Sequence, residues 1–321
     1  MAKRENDLVD WIARRFPPVG KGVRIGIGDD MAMVASGATG ILITSDMLMD
    51  GVHFETASHS PEHIGRKALA ASLSDCAAMA VRPRYAVISV ALPDAWTMEQ
   101  ARRLFLGMED LAAAHGCAIV GGDTNSWSRG LVIDVAVVAE PYPDTPPVRR
   151  SGARPGDALC VTGRLGGSRR GHHLTFQPRV GEARALAVRF GTALHAMMDL
   201  SDGLSTDAPR MAAASGCGIV LEEAVLDRVA SEAARIAADE DGRSCVDHVL
   251  NDGEDFELFF AVTEEALSAV VRAGTHPTET DDAAPGEWTR VGTAVEQPGV
   301  RLRGRDGAER RLESRGWQHF T

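Results

Sequence analysis

The chain has 321 residues, of which 44% are hydrophobic and 25% charged, with 34 Lys+Arg against 45 Asp+Glu and a formal net charge of −11. That length is more than one compact core usually organises and the composition is ordinary for a folded chain, which excludes a small stapled scaffold and wholesale disorder. The acidic balance argues against a nucleic-acid or anionic-membrane surface, since both reward a basic face.

In chain order, Leu8, Trp11, Ile12 and Phe16 fall at helical spacing and predict a short amphipathic helix over 7–16. Strands are expected at Val23–Ile27 and Ile41–Thr44, ending in the acidic clusters Gly28-Asp29-Asp30 and Ser45-Asp46. Ser60 as N-cap and Pro61 in the first turn open a helix to about Ala80, followed by a strand over Tyr85–Leu92. Thr97 and Gln100 make a capping-box pattern for a second helix, with Leu104, Met108 and Leu111 as its apolar stripe and Gly116 at its end. A strand Ala118–Val120 then ends in Gly121-Gly122-Asp123, and another covers Leu131–Ala139. Pro141, Pro143, Pro146 and Pro147 can continue neither helix nor sheet, so a domain boundary is expected near residue 150.

The second half alternates in the same way. Strands are expected at Ala158–Thr162, Ala196–Met198, Ile219–Leu221, Glu257–Val262 and Arg290–Val295, helices at Glu182–Phe190 and Thr206–Ala214, and a solvated loop at 274–287. This predicts mixed α/β or α+β layers in both domains. Five scattered cysteines, Cys76, Cys117, Cys160, Cys217 and Cys245, form no C-x-x-C pair and read as buried thiols of a reducing compartment. With no apolar stretch of signal-peptide or membrane-span type, the expected location is the cytoplasm.

The chemistry lies in the acids. Asp30, Asp46, Asp123 and Asp199 each follow an apolar strand, usually beside glycine, and Asp75 sits inside the apolar run Leu73-Ser74-Asp75-Cys76-Ala77-Ala78-Met79. One such acid is an ordinary turn or cap residue. If several converge, two carboxylates about 4 Å apart repel by roughly 4 kcal/mol at an effective dielectric of 20, and divalent cations are the economical remedy. All-oxygen ligands select hard ions, above all Mg²⁺ in phosphoryl-transfer sites. The only lysines are Lys3, Lys21 and Lys67, none within G-x-x-x-x-G-K-[ST], which excludes a P-loop kinase. No H-R-D loop, D-F-G triplet or G-x-S-x-G elbow occurs. The Gly163–Ser168 stretch reads as a turn or a phosphate cradle, His53 as a contact residue or a packing one, His172-His173 as packing residues, and Trp317 as a packing aromatic or a platform for a flat cation.

Taken in order, Gly26-Ile27-Gly28-Asp29-Asp30, Thr44-Ser45-Asp46 leading to Gly51-Val52-His53-Phe54, Leu73-Ser74-Asp75 and Gly121-Gly122-Asp123-Thr124 resemble the thiamine-monophosphate kinase family. Arg150–Asp157, Asp199-Leu200-Ser201-Asp202-Gly203-Leu204, Gly253-Glu254-Asp255-Phe256-Glu257 and Gly316-Trp317-Gln318-His319-Phe320 continue the likeness over nearly the whole chain. The resemblance implies the two-domain aminoimidazole ribonucleotide synthetase-like fold: an α+β, mixed-sheet dimerisation domain over 1–150 that also binds Mg²⁺ and ATP, and an α/β domain over 151–321. It implies a cytoplasmic homodimer that phosphorylates thiamine phosphate with ATP, using several Mg²⁺ ions. On that basis Asp30, Asp46, Asp75, Asp123, Asp199 and Asp202 look like metal ligands, assisted by Thr44 and Ser45. Gly121, Gly122, Arg150 and Ser201 match nucleotide contacts, and His53, Glu254 and Trp317 match residues holding the thiamine moiety. No catalytic base is expected.

Three departures concern loop shape: Ala80 and Asp252 stand where the family favours glycine, and 171–184 is shorter than expected. The competing readings are another ATP-dependent enzyme of the same superfamily and a catalytically silent nucleotide-binding dimer. Residues 1–22 lack the cysteine of selenophosphate synthetase, and the His319-Phe320-Thr321 ending lacks that of the hydrogenase-maturation relatives.

Overall fold

A computed structural model describes residue 14 and residues 22–37, 40–272 and 288–317. The helix expected over 7–16, apart from residue 14, and the loop expected over 274–287 lie outside the described residues. The first half runs β1 (Val23–Ile25), β2 (Ala32–Val34), β3 (Ile41–Met49), α1 (Pro61–Ala78), β4 (Arg82–Pro93), α2 (Met98–Ala114), β5 (Ala118–Trp127) and β6 (Val132–Glu140). Its strands form one sheet in the order β1-β2-β3-β6-β4-β5, antiparallel except for the β4–β5 pair.

The second half runs β7 (Ala158–Thr162), α3 (His172–Thr175), α4 (Val180–Phe190), β8 (Leu194–Asp199), α5 (Leu204–Ser215), β9 (Gly218–Glu222), α6 (Glu223–Arg228), α7 (Glu232–Asp241), α8 (Cys245–Asn251), β10 (Leu258–Val262), α9 (Glu264–Arg272), β11 (Trp288–Val295), β12 (Gly299–Arg303) and β13 (Glu309–Arg311). Here the sheet order is β13-β12-β9-β11-β7-β10-β8, with β9–β12 the parallel pair. Among the described residues no helix is long and apolar enough to cross a membrane.

α1 joins the two halves. Its N-cap Ser60 accepts from the His63 N–H with Pro61 in the first turn, as the sequence predicts, and all but a few of its residues are buried. Ile64, Leu69, Leu73 and Cys76 enter the core of the first sheet, while Ala77 packs with Cys160, Met197 and Phe260 of the second. A helix apolar on all sides belongs between two layers, so each polar group it carries needs a partner. Gly65 lets α2 cross closely: a Cβ there would lie 1.9 Å from the Leu104 carbonyl oxygen. α2 itself starts with the complete Thr97/Gln100 capping box.

Two expected strand ends are corrected. β3 runs on to Met49 and β5 to Trp127, so Asp46 and Asp123 are mid-strand residues rather than turn residues. Thr44, Ser45 and Asp46 look like a polar turn because their partners, Asp75, Asp134 and Ser72, come from distant segments. Ala80 sits at φ 51°, a left-handed conformation that glycine adopts more readily than a residue with a side chain. All five cysteines are unpaired, four of them buried.

Candidate active site

Asp30 in the β1–β2 turn, Asp75 on α1 and Asp199 at the end of β8 bring one carboxylate oxygen each to within 4.8 Å of one another. Each has a different reason for being there. Ser74 Oγ donates to Asp199 Oδ2 at 2.5 Å, joining α1 to the second sheet, and Thr44 Oγ1 of β3 donates to Asp75. Asp30 accepts from the Arg150 guanidinium at 2.6 Å, while the Arg150 N–H donates to Asp29 at 3.1 Å. Asp46 lies beside the cluster on β3, its Oδ2 taking the Ser72 hydroxyl at 2.8 Å. Sequence reasoning missed Ser72 and Ser74; the signal was two hydroxyls flanking Leu73 directly before Asp75 in an otherwise apolar helix.

These acids resist ionisation together. Burial, and then the charges of Asp46, Asp199 and Asp30, push the Asp75 carboxyl well above its ordinary range. Burial and the charge of Asp30 raise Asp199 to about 7, and Asp46 is also raised, mainly by burial. Arg150 is held more firmly protonated by Asp30, Asp29 and Asp199, although its burial works the other way. At the separation found here each ionised pair costs roughly 3–4 kcal/mol at an effective dielectric of 20. Asp30 Oδ2 is buried without a hydrogen-bond partner among the described residues. Three carboxylates, an orphaned oxygen and no thiolate or imidazole make a donor set suited to a hard divalent cation.

Asp46 also lines a cavity of about 260 Å³, together with His53, Lys67, Arg169, Ser201, Asp202, Asp252, Glu254, Phe256 and Trp317 among others. His53, Glu254 and Trp317, which the sequence places far apart, thus face one space. His53 Nδ1 accepts from the Met49 N–H at 3.1 Å, which fixes its ring. The Trp317 N–H donates to the Asp202 carbonyl at 3.1 Å, and the Arg169 guanidinium lies over the indole, 5.0 Å from its centroid. Glu254 and Phe256 have φ of 56° and 51°, conformations that cost a side-chain-bearing residue roughly 1–2 kcal/mol. Stacking of Phe256 on Phe176, with centroids 4.1 Å apart, helps to hold that loop.

Asp202 lies in this cavity rather than in the three-acid cluster, with Arg210 at 2.5 Å from it and 2.9 Å from Asp207. Ser201 shares the cavity wall, and Arg150 sits with Asp30. Asp252, at the end of α8, accepts from the Gly167 N–H at 2.8 Å, which ties the glycine-rich loop to the cavity.

Ser45, Gly121, Gly122 and Asp123 lie elsewhere. Asp123 is aligned across the sheet with Ser89, Asp134 and Met47, the row that faces away from the helices; Ser45 Oγ donates to Asp134 on that same face. Gly121 and Gly122 are exposed on the edge strand β5. Three strand spacings, about 14–15 Å, separate β5 from the strand carrying Asp46. The outward face is apolar, with Ile43, Met47, Tyr85 and Val87 exposed, and an open apolar cleft of about 910 Å³ runs between α2 and β5, lined by Trp96, Phe105, Leu106 and Ile119.

The comparisons with known proteins fit this geometry. The AIR synthase related protein family matches twice, its N-terminal domain over residues 28–140 and its C-terminal domain over 153–305. The thiamine-monophosphate kinase of Rhodopirellula baltica is 37% identical over 305 residues, covering 92% of each chain, and that of Aquifex aeolicus is 32% identical over 310 residues with the same coverage. The solved structure of AaThiL complexed with AMPPCP and TMP superposes with a TM-score of 0.81 at 29% identity, covering 99% of this chain and 97% of that one.

Proposed function

The chain belongs to the thiamine-monophosphate kinase family of AIR synthase related proteins, and from that premise we propose that it transfers the γ-phosphoryl group of ATP to thiamine phosphate, giving ADP and thiamine diphosphate. The observation that carries this reading is that Asp46, close enough to Asp30 and Asp75 for their charges to interact, also lines the cavity that holds Glu254 and Trp317. One end suits charge-dense phosphates held with a cation, the other an extended organic acceptor with aromatic rings.

The acceptor phosphate has its second pKa near 6, so at pH 7 it is mostly dianionic and needs no general base. One of its oxygens forms a bond to the γ-phosphorus as the bond from that phosphorus to the ADP oxygen breaks. The protein's task is to bring two polyanions together in line. Asp30, Asp75 and Asp199, with Asp46, would hold Mg²⁺, which when bound supplies screening between the polyanions and neutralisation of the charge developing on the leaving group. Arg150 adds the fixed positive charge nearest the cluster, while His53, Glu254 and Trp317 orient the thiamine moiety and Ser201 and Asp202 close the wall between them.

We further propose a homodimer formed through the outward face of the first sheet. An exposed apolar patch of Ile43, Met47, Tyr85 and Val87 is what an interface needs. Asp123 lies on that face about 14–15 Å from the Asp46 strand, a separation only a second copy can close. In this arrangement Gly121, Gly122 and Asp123 of one protomer meet the cluster of the other, and the apolar cleft under α2 takes the nucleotide base. Residues 1–150 are then the Mg²⁺/ATP-binding and dimerisation domain and 151–321 the C-terminal domain. Five unpaired cysteines support a cytoplasmic location.

The test is to incubate the purified protein with ATP, Mg²⁺ and thiamine phosphate and to quantify products by chromatography. Equal amounts of ADP and thiamine diphosphate are expected; nucleotide binding without product would leave the silent nucleotide-binding dimer instead.

A further inference from the structure

Among the described residues of the first half, Lys67 is the cation that lines the cavity. Lys67, on α1, is 1% exposed, and its ammonium donates both to the His53 carbonyl oxygen and, at 2.5 Å, to Glu254 Oε1. It therefore ties a turn of the first half to a loop of the second. Residues 253–257 of that loop lie in neither helix nor strand, and φ is positive at Gly253, Glu254 and Phe256. Beyond the Phe176–Phe256 stack, the Glu254 N–H donates to the Ser201 carbonyl at 2.7 Å. Lys67 is the restraint on the Glu254 side chain itself.

α1 also carries Asp75 eight residues further along, which is about 12 Å at 1.5 Å per residue. Because α1 is packed between both sheets, its two ends cannot move independently. From this juxtaposition we propose that Lys67 is a positioning residue for the acceptor: by holding Glu254 and the His53 turn at once, it sets the ring-binding end of the cavity at a fixed distance from the carboxylate cluster. Its ammonium is engaged by those two groups, so it acts through them rather than on the phosphate. The inference rests on the reading of the cavity as the thiamine phosphate site, and deepens it by naming what selects an acceptor of that length.

The experiment uses the full-length protein and the variants Lys67→Met, Lys67→Arg and Lys67→Gln. KM for each substrate, kcat and inhibition by unphosphorylated thiamine are measured, together with calorimetric titration of thiamine phosphate without ATP. For Lys67→Met, KM and Kd for thiamine phosphate should rise about tenfold or more, and the inhibition constant of thiamine by the same factor, with KM for ATP within about twofold of wild type. Lys67→Arg should recover most of the loss. Should Lys67→Met fail to fold, Lys67→Gln, which keeps a donor for the His53 carbonyl, is read by the same criteria. Equal increases in both KM values would mean a merely structural lysine, and loss of thiamine phosphate binding with thiamine inhibition intact would mean a direct phosphate contact; either overturns the proposal, as would unchanged constants. Absence of product from the wild type would instead overturn the proposed reaction, and the titration with thiamine phosphate would still read the Lys67 effect.

Discussion

Buried acids are handled in opposite ways in two neighbouring regions. Around α5 and β10 four acids have a cation supplied by the chain, Asp255 with its Gly166 N–H being the exception: Arg210 serves Asp202 and Asp207, Arg179 lies 2.5 Å from Glu257, and Lys67 holds Glu254. Where β3, α1 and β8 meet, Asp46, Asp75 and Asp199 receive hydroxyls from Ser72, Thr44 and Ser74, and among the described residues only Asp30 has an arginine. A hydroxyl orients a carboxylate without cancelling its charge. Acids of the first kind hold the fold together, whereas those of the second keep their charge available for a cation from outside.

Breaking the first arrangement should have the largest effect. Arg210→Met strands the fully buried Asp207, and removing one partner of a buried pair costs about 3 kcal/mol or more, read as a lower midpoint in urea unfolding. The second arrangement predicts the reverse for stability. Asp75→Asn removes one of several repelling charges, so without metal the variant should melt no lower than wild type, while turnover falls by about 100-fold, or ~2.7 kcal/mol of barrier. Near-normal turnover in Asp75→Asn would erase the distinction. A smaller effect sharpens it: Trp317→Ala removes a cavity wall and no charge, so KM for thiamine phosphate should rise about tenfold, ~1.4 kcal/mol, with KM for ATP little changed.

Much of this was legible in the sequence where local rules decide. Ser60 and Pro61 announce α1, Thr97 and Gln100 announce α2, and the apolar run Ala158–Thr162 is β7 to the residue. Of the acids that share the strand-end or apolar-helix pattern, Asp30, Asp75 and Asp199 lie together, whereas Asp123 does not. What escaped depends on partners remote in sequence. Asp46 reads as a turn residue until Ser72 is seen beneath it, and α7, which buries only Ala234, has too thin an apolar stripe to be read as a helix. The strands β12 and β13 carry arginines and glutamates paired across the sheet edge, as Arg301 and Arg303 are with Glu309, so their composition resembles a loop. Lys67 looks like any helical lysine until Glu254, from the other half of the chain, is placed against it.

If the acids where β3, α1 and β8 meet await a cation, folding stability depends on pH and on Mg²⁺ together. The unfolded chain ionises its aspartates near their ordinary 3.8, whereas the folded chain retains the Asp199 proton to about 7 and those of Asp75 and Asp46 above the ordinary value. Over that interval the native state binds more protons than the unfolded one, so their contribution is complete below pH 4 and is lost as pH rises through 7. Melting temperatures should be recorded from pH 5 to pH 8 with and without Mg²⁺, at a fixed concentration of a non-hydrolysable ATP analogue. A fall toward pH 8 without Mg²⁺ is expected, with its reversal by Mg²⁺ and neither response in a variant with Asp30, Asp75 and Asp199 all changed to Asn. An equal Mg²⁺ response in that variant, or a flat wild-type profile, would contradict it.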